Sequence, residues 1–140
     1  MINMAKIWNW IWGHIIGYLI YERKYLKSAC FTGRYFGISA PGWKWAVTDF
    51  RSRIFFGVNK GIRIPTTFAN TINGWQNIDF DSDDLQIFRG RGKYFQAEGA
   101  RISIGSGTRI ANNVCIVTTN HDLIDPKKHV LGKSINIGSD

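Results

Sequence analysis

Of the three histidines in the chain, His121 has the surroundings for acid–base chemistry, in the run Thr118-Thr119-Asn120-His121-Asp122. Imidazole titrates near pH 6.5, so it can take up and return a proton at neutral pH. The run stands where a regular pattern breaks into a polar segment, a place where a side chain faces a cleft instead of a core. His121 is therefore the candidate base. His14 lies among aromatics and reads as an interfacial or buried polar residue, whereas His129, next to Lys127 and Lys128, reads as solvated. Asn120 and Asp122 flank the base as candidate substrate contacts, although in an extended segment their side chains point away from that of His121. Asp122 also suits a turn, which is the stronger reading. Gln96, in KYFQA, is a third candidate contact, from the same or an adjacent subunit. The acids Asp79, Asp81, Asp83 and Asp84 look like a metal loop, but their spacing fits no EF-hand and lacks its Gly and final Glu. A solvated loop without a metal is expected. Cys30 and Cys115 have no paired spacing, so each is expected to be a small buried residue in a reduced, cytoplasmic protein.

The elements that must position these residues change along the chain. From Ile54 onward short β-favouring runs (RIFFGV, GIRIP, DLQIF, KYFQA, ARISIG) alternate with Gly, Asn and Asp, and none has the 3.6-residue pattern of a long helix. Large aliphatics then recur every six residues at Ile104, Ile110 and Ile116. This period suits a parallel β-helix in which each six-residue strand and turn is one side of a triangular coil. Small Gly105 and Ala111 follow the first two aliphatics, as tight corners need. The phase breaks after Ile116, since Asp122, Lys128 and Ser134 occupy the next places, and an Ile-Gly pair returns at Ile137. The stretch HDLIDPKKHVLGKS is expected to project as a loop. The predicted fold is mainly β, a parallel β-helix over 54–140, preceded by an aromatic, basic segment over 1–53.

The 140 residues, 44% of them hydrophobic, suffice for one domain with a core. The net charge of +8 is localised. Residues 1–63 hold ten Lys/Arg and two acids, Glu22 and Asp49, while 64–140 hold eight of each. The opening MINMAKIWNWIWGHIIGYLI is apolar and aromatic, and YERKYLK follows at once. Its charge-free stretch is short for a spanning helix, which needs roughly 20 apolar residues, and Trp flanked by Lys/Arg suits a bilayer interface. An amphipathic helix is expected, ending before the Gly- and aromatic-rich SACFTGRYFGISAPGWKW, in which Pro41-Gly42 reads as a turn. Its apolar face has two readings: peripheral membrane contact through residues 1–27, at the cytoplasmic face, or docking on the protein itself or on a neighbouring subunit. Nucleic-acid binding is not expected, because the aromatics cluster with isoleucines instead of alternating with charges on a sheet.

The run ARISIGSGTRIANNVCIVTTNHDL resembles the hexapeptide-repeat acetyltransferases that modify sugars, in which Ile-Gly-rich repeats lead into a T-x-N-H-D type segment and a projecting loop. The pieces YERKYLK, GISAPGWKW and DSDDLQIFRGRGKYFQ are similar to a bacterial subgroup of these enzymes associated with capsule and exopolysaccharide synthesis. The resemblance implies an enzyme that moves an acetyl group from acetyl-CoA to a sugar hydroxyl, with His121 as general base. It also implies that the β-helix is left-handed, and a homotrimer with sites between subunits and the coenzyme along later coils. The chain stops at Asp140 before such coils, so a C-terminally incomplete protein is expected. The alternative is a non-catalytic trimeric scaffold or an inactive truncated homologue.

Overall fold

The computed structural model describes residues 3–32 and 37–138. Residues 33–36, within the Gly- and aromatic-rich segment, and the final two residues, where the chain was expected to be incomplete, lie outside the described residues. The chain forms two compact units, Met1–Phe68 and Ala69–Asp140. The boundary falls later than the division at 53/54 expected from the sequence.

The first unit is helical. α1 spans Met4–Ile20 and begins at Asn3, whose side chain accepts a hydrogen bond from the Lys6 amide at 3.1 Å. This satisfies one of the donors that a helix start leaves free. The helix ends where Tyr21 turns extended and sends its ring into the core, 1% exposed. A short α2 follows at Arg23–Leu26, and α3 spans Pro41–Phe55. Pro41-Gly42 is thus a helix start and not the expected turn. Proline's fixed φ and missing N–H suit the first helical turn, and Ala40 before it is extended. The run RIFFGV, expected as strand, supplies the end of this helix.

α1 and α3 pack closely because α1 turns glycines toward α3. A Cβ at Gly13 would lie 2.8 Å from the Trp43 carbonyl oxygen, so only glycine permits this approach. His14 stacks on Trp43 with ring centroids 3.9 Å apart and also meets Trp10 and Tyr18. Beneath them lies a buried ionic group. Asp49, 2% exposed, receives the guanidinium of Arg53 at 2.8 and 3.0 Å, the Tyr21 hydroxyl at 2.6 Å and the Thr66 amide at 3.2 Å. Arg53 also donates to the carbonyls of Ile62 and Ile64, tying the connecting segment to α3. Burial, and the Asp49 charge beside it, push the Tyr21 hydroxyl well above its ordinary pKa.

Among its described residues the second unit contains eight three-residue strands: β1 Thr71–Asn73, β2 Ile78–Phe80, β3 Tyr94–Gln96, β4 Ile102–Ile104, β5 Cys115–Val117, β6 Thr119–His121, β7 His129–Leu131 and β8 Ile135–Ile137. They form two three-stranded parallel sheets, β1-β3-β5 and β2-β4-β8, and an antiparallel pair β6-β7. Ile72, Phe95 and Ile116 stack across the first sheet. In the second, Ile78, Ile102 and Ile135 form one row, and Phe80, Ile104 and Ile137 another. The 3-10 segment Ser82–Phe88 delivers buried Leu85, Ile87 and Phe88 to this core. Phe88 meets Phe80 at 4.8 Å and Phe95 at 5.2 Å, linking the two sheets.

This is a mixed α/β chain, about 35% helix and 18% strand with no sheet curled or closed, which corrects the predicted β-helix. The six-residue spacing misleads because its members occupy unlike places. Ile104 and Ile116 are buried strand residues in different sheets, whereas Ile110 is a half-exposed residue outside any strand. The ladders pair Tyr94 with Cys115 and Ile102 with Ile135, separations that no six-residue period produces.

Candidate active site

β6 and β7 form a hairpin that brings His121 opposite His129, with ring centroids 4.6 Å apart. The hairpin follows β5 of the first sheet, where the aliphatic phase breaks, and leads on to β8 of the second. Its root is fixed by Thr118, 2% exposed, whose hydroxyl donates to the Gln96 carbonyl at 3.0 Å and accepts from the Ala100 amide at 3.2 Å. The Gly132 amide donates to the Thr118 carbonyl at 2.7 Å, and a Cβ at residue 132 would lie 2.4 Å from that oxygen. Glycine there lets the returning strand lie against the root.

The tip is organised by Asp122. One of its oxygens, Oδ1, accepts the amides of Ile124 at 2.8 Å and Asp125 at 3.0 Å, and its own amide donates to the Lys128 carbonyl at 2.9 Å. These amides hold the Asp122 carboxyl below its ordinary pKa, because they favour the charged form. Asp125 Oδ1 in turn accepts the Lys127 amide at 3.1 Å. The turn-forming reading of Asp122 accounts for these contacts, and its neighbour Asn120 accepts the His121 amide at 2.9 Å through its side chain.

His121 is exposed, and its Nδ1 lies 2.7 Å from the Pro126 carbonyl oxygen. A carbonyl can only accept, so Nδ1 carries a proton, and in the neutral form of the ring the lone pair is at Nε2. This is the arrangement a general base requires: one nitrogen oriented by the backbone, the other ready to accept.

The site residues inferred from sequence are distributed as follows. His121, Asn120 and Asp122 share the hairpin. Gln96 lies in β3, its backbone bonded to Thr118, and its amide contacts Glu98 at 3.4 Å. The sequence reading left out His129, which is the cross-strand partner of His121. The signal was available, since 121 and 129 are equidistant from Asp125 in a stretch with turn residues at its centre.

Other sequence candidates have structural uses. Asp81 caps the 3-10 segment and accepts the Ser106 hydroxyl at 3.1 Å, Asp79 pairs with Arg101, and Asp84 accepts the Gly107 amide at 2.6 Å. Among the described residues no His/Cys/Asp/Glu group could hold a metal ion. Cys30 is half-buried and Cys115 exposed, both free, which corrects the expectation that each is buried. Lys93, nearly buried, donates to the Ile87 carbonyl at 2.7 Å, and burial lowers its pKa. Compared with protein-family models, with curated proteins and with solved structures, the chain has no match.

Proposed function

We propose that the protein transfers an acetyl group from acetyl-CoA to a sugar hydroxyl, with His121 as the general base. The observation that carries this reading is the hydrogen bond between His121 Nδ1 and the Pro126 carbonyl. It holds the ring in the tautomer whose Nε2 can take a proton. A sugar hydroxyl is a poor nucleophile while it keeps its proton, and Nε2 removes that proton as the oxygen attacks. Acetyl-CoA supplies the acyl group as a thioester: the C–O ester bond forms as the C–S bond breaks, and the departing coenzyme thiolate takes up the proton held on Nε2. The exposed Lys127 and Lys128 at the tip of the same hairpin suit its phosphates. The resemblance of ARISIGSGTRIANNVCIVTTNHDL to sugar acetyltransferases supports the same chemistry, as does the open position of His121, which suits a site completed by a second subunit of a trimer.

Acetyl-CoA turnover on a panel of sugars, comparing wild type with His121→Ala, tests the reading. A loss of roughly 10²–10⁴ in rate is expected, the usual contribution of a positioned base. Equal rates would sink it. A second reading, a non-catalytic oligomerisation module, is favoured by the hairpin tip, where Leu123 is 97% and Ile124 95% exposed. It predicts no turnover and an oligomer that dissociates on Leu123→Ser/Ile124→Ser substitution, measured by light scattering.

A further inference from the structure

α1 leaves much of its apolar surface outside. The side it turns to its own unit carries Gly13, Ile16 and Gly17, with His14 stacked on Trp43, while Trp8, Trp12, Ile15 and Leu19 lie outward, 54%, 50%, 48% and 71% exposed. Their spacing of three and four residues places them along one stripe. Exposed Ile54 of α3 lines one cleft with Leu19, so the apolar surface extends beyond α1.

Cations border this surface. Exposed Arg51 lines the groove that holds Trp8 and Trp12, and exposed Lys60 and Arg63 line the cleft of Leu19 and Ile54. Carboxylates do not compete for them. The unit holds two acids: Asp49 is buried against Arg53, and Glu22 pairs with Lys24 at 3.1 Å. The +8 net charge of the chain therefore belongs to the unit that bears the apolar stripe.

We infer that this face docks on the surface of a bilayer rich in anionic phospholipid. Tryptophan with flanking Lys/Arg is the chemistry of the membrane interface, and cations bordering an apolar stripe select anionic headgroups. The helix lies on the membrane and does not cross it. Its 17 residues span about 25 Å, short of the roughly 30 Å hydrocarbon core, and no described helix is long and apolar enough to span. The inference is independent of the acyl-transfer reading.

The test uses the full chain with vesicles of phosphatidylglycerol mixed with phosphatidylcholine, and with phosphatidylcholine alone. Co-sedimentation with the anionic vesicles is expected, weakened about tenfold or more by high salt or by the neutral lipid. Arg51→Gln/Lys60→Gln/Arg63→Gln should weaken it to a similar degree. Trp8→Ser/Trp12→Ser should also lower binding about tenfold, with circular dichroism unchanged because both rings are exposed. Quenching of wild-type tryptophan emission by lipids brominated along the acyl chain reads insertion without any variant. Absence of sedimentation, binding indifferent to the tryptophan substitutions, or no quenching would each overturn the inference. So would a dimer, seen by light scattering, that Trp8→Ser/Trp12→Ser disrupts while vesicles stay unbound, since a second copy would then cover the face.

Discussion

The two units differ in where α1 and the sheet core place their large apolar side chains. In the second, Ile72, Phe95, Ile102 and Phe88 are at most 2% exposed and glycines lie at corners and roots. In the first, the glycines of α1 face the protein while Trp8, Trp12, Ile15 and Leu19 face away. Burial of a large apolar side chain contributes roughly 1.5–3 kcal/mol, so a unit that leaves four of them outside forgoes a sizeable stabilisation. The first unit has a core of its own, with Tyr21, Phe31, Trp43 and Ile64 buried, and adds close helix contact and the Asp49–Arg53 group.

The comparison breaks most visibly if aromatic truncation has the same effect in both units. Phe95→Ala should destabilise by about 3–5 kcal/mol through a cavity in the sheet core, whereas Trp12→Ala should change stability by no more than about 0.5 kcal/mol. Denaturant unfolding followed by circular dichroism measures both. Gly13→Ala sharpens it next. A methyl group small enough for most helices must here displace the Trp43 backbone, so a loss of about 1–3 kcal/mol is expected in the same assay. If Gly13→Ala were neutral, the close α1–α3 approach would not be what holds the first unit.

The smallest effect concerns the hairpin of the second unit. The folded carboxyl of Asp122 has a lowered pKa, so its contribution is present above the unfolded value of about 3.9 and disappears as pH falls through the lower folded value. Hydrogen-exchange protection of the Ile124 and Asp125 amides, corrected for intrinsic rates, should therefore drop below about pH 4 while the Phe95 strand stays protected. In Asp122→Asn the pH dependence should vanish.

Much of the candidate site was legible locally. The turn residues around Asp125 and the broken phase after Ile116 marked a projecting segment at His121, because Asp and Pro impose turns through their own backbones and side chains. His129 was not read as its partner, since cross-strand neighbours depend on register, which the turn closes only in three dimensions. α3 was missed for a related reason: Pro41-Gly42 is compatible with a turn or a helix start, and the choice falls to the packing of Trp43 on His14. The β-helix expectation failed because a spacing of six in an Ile-rich stretch reports composition as readily as coil geometry.

By itself the sequence determined that an apolar, tryptophan-rich helix opens the chain, that the positive charge lies beside it, and that His121 stands at a turn. These follow from residue type and near-neighbour spacing. Which face of α1 would be buried, which strands would pair, and which nitrogen of His121 would be bonded to the backbone were decided by tertiary structure. Each depends on contacts between residues far apart in the chain or on how a loop closes, here the Gly13–Trp43 approach, the parallel ladders and the Pro126 carbonyl.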